Sequence, residues 1–264
     1  TDRTLAEKFL ALLPFTLTEG QKSVIEEIES DLNSNHPMHR LVQGEVGSGK
    51  TAVALYSAAL IAGSGGQIAF LAPTEVLATQ HYSTIKKILG PLASRGQIGA
   101  DPDAITVELL TGSMSASAKR LVHERVRRGE IDFVVGTHAL LTLEFSKLAL
   151  VIVDEQHRFG VDQRDALREG VEFPPHLLVM TATPIPRTVA MTVFGDLETS
   201  TLRQLPSGRS PISTHVIPVL DKPKFLERAW ERIKEEVAKG HQAYVVVPRI
   251  SGDGETKSKI KESD

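Results

Sequence analysis

An α/β fold, a parallel sheet carrying helices on both faces, is predicted by three features of the 264-residue chain. Short runs rich in Val, Ile and Leu alternate with amphipathic stretches at helical period. The runs are continuously apolar, as strands covered on both faces must be. Glycine, proline and aspartate punctuate the joins. Hydrophobic residues make up 41% of the chain, enough for a folded core, and without cysteine neither disulfides nor thiolate metal sites can support it.

The first helix sets Leu5, Phe9 and Leu12 on one side. A second starts at Thr18, where Thr18 and Gln21 have capping-box spacing, and repeats Gln21, Val24, Ile25, Ile28 and Leu32 at helical intervals. Strands are predicted over 40–43, 67–72, 105–110, 131–135, 148–153 and 177–182, with helices after Gly49, Thr74, Ser115 and Pro186. GSGG at 63–66 reads as a turn and RGQIGADPDA at 95–104 as an exposed loop.

At LPSGRSPIS, 205–213, two prolines, a glycine and three serines break the pattern and read as an interdomain linker. The chain divides into a first domain over 1–205 and a linker with the start of a second domain over 206–264. The second unit predicts a strand at 214–219, a helix with Leu226, Ala229, Trp230, Ile233 and Val237 on one face, Gly240 as C-cap, and a strand at QAYVVV, 242–247. So few residues bury too little surface to stand alone, so the chain, which also lacks an initial Met, is expected to be a fragment ending inside that domain.

A net charge of −3 gives no global positive field, so a nucleic acid would have to be held by local geometry. No apolar run approaches bilayer length, and the N-terminal TDRTLAEKFLALLP is too charged for a signal peptide. A cytosolic protein without a membrane partner is expected.

Residues 44–51, GEVGSGKT, match the phosphate-loop pattern G-x-x-x-x-G-K-[ST] between an apolar run and a helix-forming one. Gly44, Gly47 and Gly49 let the backbone curl, with Glu45, Val46 and Ser48 between them, so that successive N–H groups converge on phosphate oxygens at a helix N-terminus. Lys50 would reach the β and γ phosphates of ATP, and Thr51 would ligate Mg²⁺. A plain glycine-rich turn is the simpler alternative, but the flanking strand and helix argue against it.

Such a loop needs a second strand whose end delivers a carboxylate to the metal, and LALVIVDE supplies one. Asp154 would hold the Mg²⁺ shell, while Glu155 would polarise the attacking water. An apolar run ending in DE is common by itself; its pairing with 44–51 gives it weight.

With Gln156 and His157 the box reads DEQH, and the chain resembles superfamily 2 helicases with a DExH box. APTEVLATQH (72–81), LLTGS (109–113), VVGTHAL (134–140) and VMTATPIPRT (179–188) are similar to further motifs of that superfamily, and PFTLTEGQ (14–21) resembles a Q motif. The combination with VDEQHRFGVDQR and LPSGRSPI looks most like its ATP-dependent branched-DNA helicases, over nearly the whole chain. Transcription-repair coupling translocases share the HRFG and ATPIPRT phrases but usually carry phenylalanine in the phosphate loop and DEEH, so Ser48 and Gln156 favour the former.

The resemblance implies a RecA-like P-loop NTPase domain with ATP and Mg²⁺ at the C-terminal edge of its sheet. It further implies contacts from Phe15 and Gln21 to adenine, and from Thr74, Thr111, Ser113, Thr137 and His138 to the backbone of branched or forked DNA. Gln156 and His157 join Lys50, Asp154 and Glu155 as catalytic residues; a zinc role for His157 lacks ligand spacing. Thr181 and Thr183 either couple phosphate state to DNA movement or cap a turn, and Arg187 either couples or is solvated. The basic helix SAKRLVHERVRRGE, with Glu124 and Glu130 interspersed, is better read as a solvated face than as a DNA contact.

The function expected is an ATP-driven motor acting on branched DNA in repair and recombination, working as a monomer. From the chain alone, nucleotide binding with weak hydrolysis and no unwinding is expected. A non-hydrolytic ATP-binding module is the alternative, discriminated by the effect of Glu155→Gln on hydrolysis. A P-loop kinase would need an acceptor pocket or lid that the sequence does not display.

Overall fold

The computed structural model of the chain describes residues 2–154, 174–183, 197–203, 213–218 and 223–247. Two compact units, Thr1–Arg209 and Ser210–Asp264, divide it. The first holds α1 (Thr4–Leu12), α2 (Glu19–Leu32), β1 (His39–Gly44), α3 (Lys50–Gly63), β2 (Gln67–Leu71), α4 (Glu75–Leu89), β3 (Val107–Leu110), α5 (Ala116–Arg127), β4 (Phe133–Gly136), β5 (Leu148–Asp154), β6 (His176–Thr181) and β7 (Glu198–Leu202). Short 3₁₀ turns occupy Gly90–Ala93 and His138–Thr142.

The strands form one seven-stranded sheet in the order β3-β4-β2-β5-β6-β1-β7, and every pairing is parallel. Parallel strands need covered faces, and the continuous apolar runs meet that need in alternation. Val42, Ile68, Phe70, Phe133, Ile152, Leu178 and Met180 face one way, into a core shared with Leu5 and Phe9 of α1, Ile25 and Ile28 of α2, and Ile85 of α4. Their neighbours Leu41, Ala69, Leu71, Val134, Val151, Val153 and Val179 face the other way, against Val122 and Val126 of α5 and Leu140. α3 is apolar around its circumference and buried from Ala52 to Ala62, as the central helix of the first layer must be.

The capping box at Thr18 forms in full, and the five periodic positions of α2 are its buried residues. The 63–66 turn closes α3 with Gly65 at φ +76°, its N–H on Ala62 O (2.9 Å) and that of Gly66 on Ile61 O (3.0 Å). The helix expected after Pro186 lies outside the described residues.

Two expectations fail, and one strand lies where none was expected. Leu12, expected on the buried side of α1, is exposed, because at the end of the helix Leu10 and Leu13 are the residues packed against the core that holds Leu5 and Phe9. The polar ETSTL had not been predicted as a strand and is β7; an edge strand needs an apolar face only where it is covered, here at Ser200 and Leu202. In the second unit, residues 213–218 and 241–247 form no strand, since a strand needs a ladder partner and none is present among the described residues. Among its described residues that unit holds the helix α6 (Pro223–Ala238) and segments without regular secondary structure. Gly240 ends α6 at φ +84°, and Leu226, Trp230 and Val237 on its apolar face stay exposed.

An ion-pair cluster ties β1 to its surroundings. Arg40, nearly buried, donates to Asp31 Oδ2 (2.7 Å) and Glu27 Oε2 (2.7 Å) of α2 and to Ser200 Oγ (2.7 Å) of β7. This fixes α2, whose first turn carries Gln21, against the strand that leads into the glycine-rich loop.

Candidate functional site

Because all strands run parallel, their C-terminal ends lie along one edge of the sheet, where ligands of open α/β sheets bind. Strand order then sorts the motif residues into two groups. Gly44, Asp154 and Thr181 end β1, β5 and β6, which are adjacent in the order β5-β6-β1. Thr74, Thr111 and Thr137 follow β2, β3 and β4, which make up the other half, β3-β4-β2.

In the first group β6 separates β1 from β5, so their ends stand two strand spacings, about 10 Å, apart. The gap is a cleft of about 410 Å³ lined by Phe15, Gln21, Val46, Gly47, Gly49, Lys50, Thr51, His81, Asp154 and Ala182. Gly47 and Gly49 have φ of +85° and +88°, the left-handed region that disfavours any side chain. Lys50 Nζ donates to the carbonyls of Gly44 (2.6 Å) and Glu45 (3.1 Å) in its own loop. A Cβ at Gly44 would come 2.5 Å from the buried Ser48 hydroxyl, so this turn closes only with glycine there.

Gln21 is buried and both ends of its amide are engaged. Oε1 accepts the Thr18 N–H (2.9 Å), and Nε2 donates to Ser48 O (2.9 Å), pinning the glycine-rich loop to the start of α2. A Cβ on Gly49 would stand 2.0 Å from Gln21 Nε2, so the glycine also makes room for this amide. Phe15, half exposed, lines the cleft on the same side.

Asp154 is bonded to a residue that the motifs did not single out. His81 Nε2 lies 2.7 Å from Asp154 Oδ2, and the pair is largely buried, with 17% and 14% of the side chains exposed. His81 stands on α4, 73 positions earlier, and its ring packs on Phe70 of β2 with centroids 4.8 Å apart. Nothing local in APTEVLATQH marks this contact, which needs α4 and β5 to be neighbours.

The second half of the edge is held by α4 as well. Thr74 caps α4, its hydroxyl accepting the Leu77 N–H (3.3 Å). Glu75 Oε1 accepts the Ser113 N–H (3.0 Å), across the intervening end of β4. Hydrogen bonds from the Ser113 side chain and from the Ser113 and Gly112 backbone hold the Glu75 carboxyl below its ordinary range. Thr111 and Ser113 meet hydroxyl to hydroxyl at 3.2 Å. Thr137 is buried and its hydroxyl has no partner among the described residues, while His138 beside it is exposed.

Thr181, fully buried, accepts the Thr183 N–H on its hydroxyl (3.2 Å) and meets the Thr183 hydroxyl at 3.0 Å, a local turn-closing arrangement at the end of β6. Glu155, Gln156, His157 and Arg187 lie outside the described residues. α5 carries charges of both signs: Arg125 pairs with Glu108 (2.7 Å) and Arg128 with Glu124. Beside them Arg120, His123, Arg127 and Glu144 line another cleft of about 350 Å³.

The donor set fits a polyphosphate with a hard cation. Left-handed glycines, a lysine and a helix N-terminus suit phosphate oxygens, and the Thr51 hydroxyl with the Asp154 carboxylate suits Mg²⁺ better than a soft metal. No group of three or more His, Cys, Asp or Glu side chains placed to hold a metal occurs among the described residues.

Comparison with known proteins agrees with this layout. Residues 18–192 match the DEAD/DEAH box helicase family. The ATP-dependent DNA helicase RecG of Mycobacterium bovis is 56% identical over 256 residues, which cover 96% of this chain and 35% of that protein. RecG of Borreliella burgdorferi is 46% identical over 254 residues, covering 94% and 34%. The chain thus spans about a third of the length of the curated relatives it matches. The structure of RecG bound to a three-way DNA junction aligns at a TM-score of 0.76 and 39% identity, over 94% of this chain and 32% of that one. The Mycobacterium smegmatis helicase Lhr bound to ssDNA and AMP-PNP shares the fold, with a TM-score of 0.58 at 19% identity over 88% of this chain and 32% of its own.

Proposed function

The chain belongs to the DEAD/DEAH box helicase family, and from that membership we propose that it is the nucleotide-binding part of an ATP-dependent motor acting on branched DNA in repair and recombination. The observation that carries this reading is the convergence of the glycine-rich loop, Lys50, Thr51 and Asp154 on one cleft at the C-terminal edge of the sheet. The identity to RecG favours branched DNA over the substrates of coupling translocases.

In this reading the loop N–H groups and Lys50 bind the phosphates of ATP, Lys50 exchanging the carbonyls of Gly44 and Glu45 for phosphate oxygens. Thr51 and Asp154 hold Mg²⁺, which when bound offsets the charge of the β and γ phosphates. Glu155 orients the attacking water and accepts its proton, and Gln156 and His157 take part in the same step. Phe15 flanks the base, and Gln21 fixes the loop through Ser48 rather than relying on an exposed amide.

Thr74, Ser113 and His138 face a DNA backbone in contacts that carry no sequence information, and Thr111 and Thr137, whose side chains are buried, shape the turns beside them. Thr181, Thr183 and Arg187 relay phosphate state, Thr181 from the end of β6, the strand between β5 and β1. The domain division at 205/206 is retained as the assignment of a first motor lobe followed by the start of a second. The motor is assigned to the cytoplasm and to a monomer.

Calorimetry with Mg²⁺-ATP tests the reading. Binding is expected for the chain and should fall at least about tenfold in Lys50→Ala, as loss of a charged hydrogen bond to phosphate predicts. Absence of binding by the unmodified chain would refute it.

A further inference from the structure

We propose that His81 is a positioning residue for Asp154: it holds the carboxylate in the orientation in which the Mg²⁺-nucleotide is bound. The inference rests on the nucleotide reading above and adds a residue to it that no motif assigns. An ionised carboxylate only accepts hydrogen bonds, so at 2.7 Å from Oδ2 the Nε2 of His81 carries the proton, and the contact fixes the tautomer of the imidazole. Among the described residues His81 is the side chain that bonds to Asp154 and so restrains its rotation.

The restraint is firm because His81 is itself held. Its ring lies against Phe70, a fully buried side chain of β2, which is the direct sheet neighbour of β5. The helix that carries it is fixed at its start by the Thr74 cap and by Glu75 on the Ser113 N–H. With Oδ2 engaged, Oδ1 is the oxygen left to a cation, in the cleft that Lys50 and Thr51 also line. Carboxylates that ligate metals are in turn hydrogen-bonded, and losing such an outer partner costs roughly 10–100-fold in metal affinity.

The test uses the full chain and a fluorescent ADP analogue titrated with Mg²⁺, and separately in EDTA. His81→Phe keeps a ring against Phe70 and removes the donor; His81→Gln keeps a donor. The half-saturating Mg²⁺ concentration should rise about tenfold or more in His81→Phe and by less than about threefold in His81→Gln. Affinity in EDTA should stay within about twofold in both, because the lysine and the loop are untouched.

A Mg²⁺ response of His81→Phe equal to that of the unmodified chain would overturn the inference. So would an equal loss in His81→Gln, or a matching loss in EDTA, either of which assigns His81 to packing. If His81→Phe does not fold, His81→Leu serves as the variant without a donor and is read in the same way. Failure of the unmodified chain to bind in either buffer would overturn the nucleotide reading and this inference with it, whereas an unaltered His81→Phe beside a responsive unmodified chain would overturn this inference alone.

Discussion

Gln21 offers the sharpest test of how the glycine-rich loop is held. Its side chain is 1% exposed, with Oε1 on the Thr18 N–H and Nε2 on the Ser48 carbonyl, each at 2.9 Å. Gln21→Ala removes the reciprocal half of the capping box, worth about 1 kcal/mol. It also leaves the Ser48 carbonyl without its buried donor, at about 1–3 kcal/mol. The sum, roughly 2–4 kcal/mol, corresponds to a fall of about 5–15 °C in Tm for a domain of this size.

Gln21→Glu separates the two parts. A carboxylate still accepts from Thr18 but cannot donate to Ser48 O and would stand buried against that carbonyl, so it should keep α2 capped while losing at least the second part. The single tryptophan, Trp230, lies in the second unit, so unfolding of the first is better followed by circular dichroism at a helix wavelength in urea. Both variants within about 0.5 kcal/mol of the unmodified chain would refute the assignment of Gln21 as the pin of the loop. Gly49→Ala should resemble Gln21→Ala or be worse, since its Cβ would meet Nε2 at 2.0 Å and the left-handed backbone adds about 1–2 kcal/mol.

Burial holds the His176 imidazole below the ordinary histidine range against the opposing pull of Asp31, and its Nδ1 accepts the Met38 N–H (2.9 Å). The unfolded state therefore takes up the proton first as pH falls, so the contribution of His176 is full above about pH 6.5 and is lost below it; thermal scans at successive pH values should show the decline, and His176→Asn should reduce it. Glu75→Ala should speed amide exchange at Gly112 and Ser113 in exchange mass spectrometry while leaving β2 protected, and unchanged exchange there would remove Glu75 from its role as holder of that turn. Gly136→Ala should be the most damaging of these changes, because its Cβ would stand 2.2 Å from the Leu110 carbonyl of the adjacent strand, and overpacking against a backbone predicts a loss above about 3 kcal/mol; a Tm shift below about 4 °C would contradict it.

The sequence carries a large share of this protein by itself, and the reason is range. Capping at Thr18, the period of α2, the apolar strands and GEVGSGKT are each written within a few turns of chain, where propensity and side-chain spacing act directly. Membership of the helicase family was legible for the same reason, since its motifs are short and ordered. What only the tertiary structure decided depends on strand order, which no local pattern encodes. The insertion of β6 between β1 and β5 sets the width of the cleft, β7 completes the sheet with a polar sequence that carries no apolar strand pattern, and α4 brings His81 to Asp154 across 73 positions. Packing of both sheet faces chose that order, and with it which hydrogen bond each side chain would make.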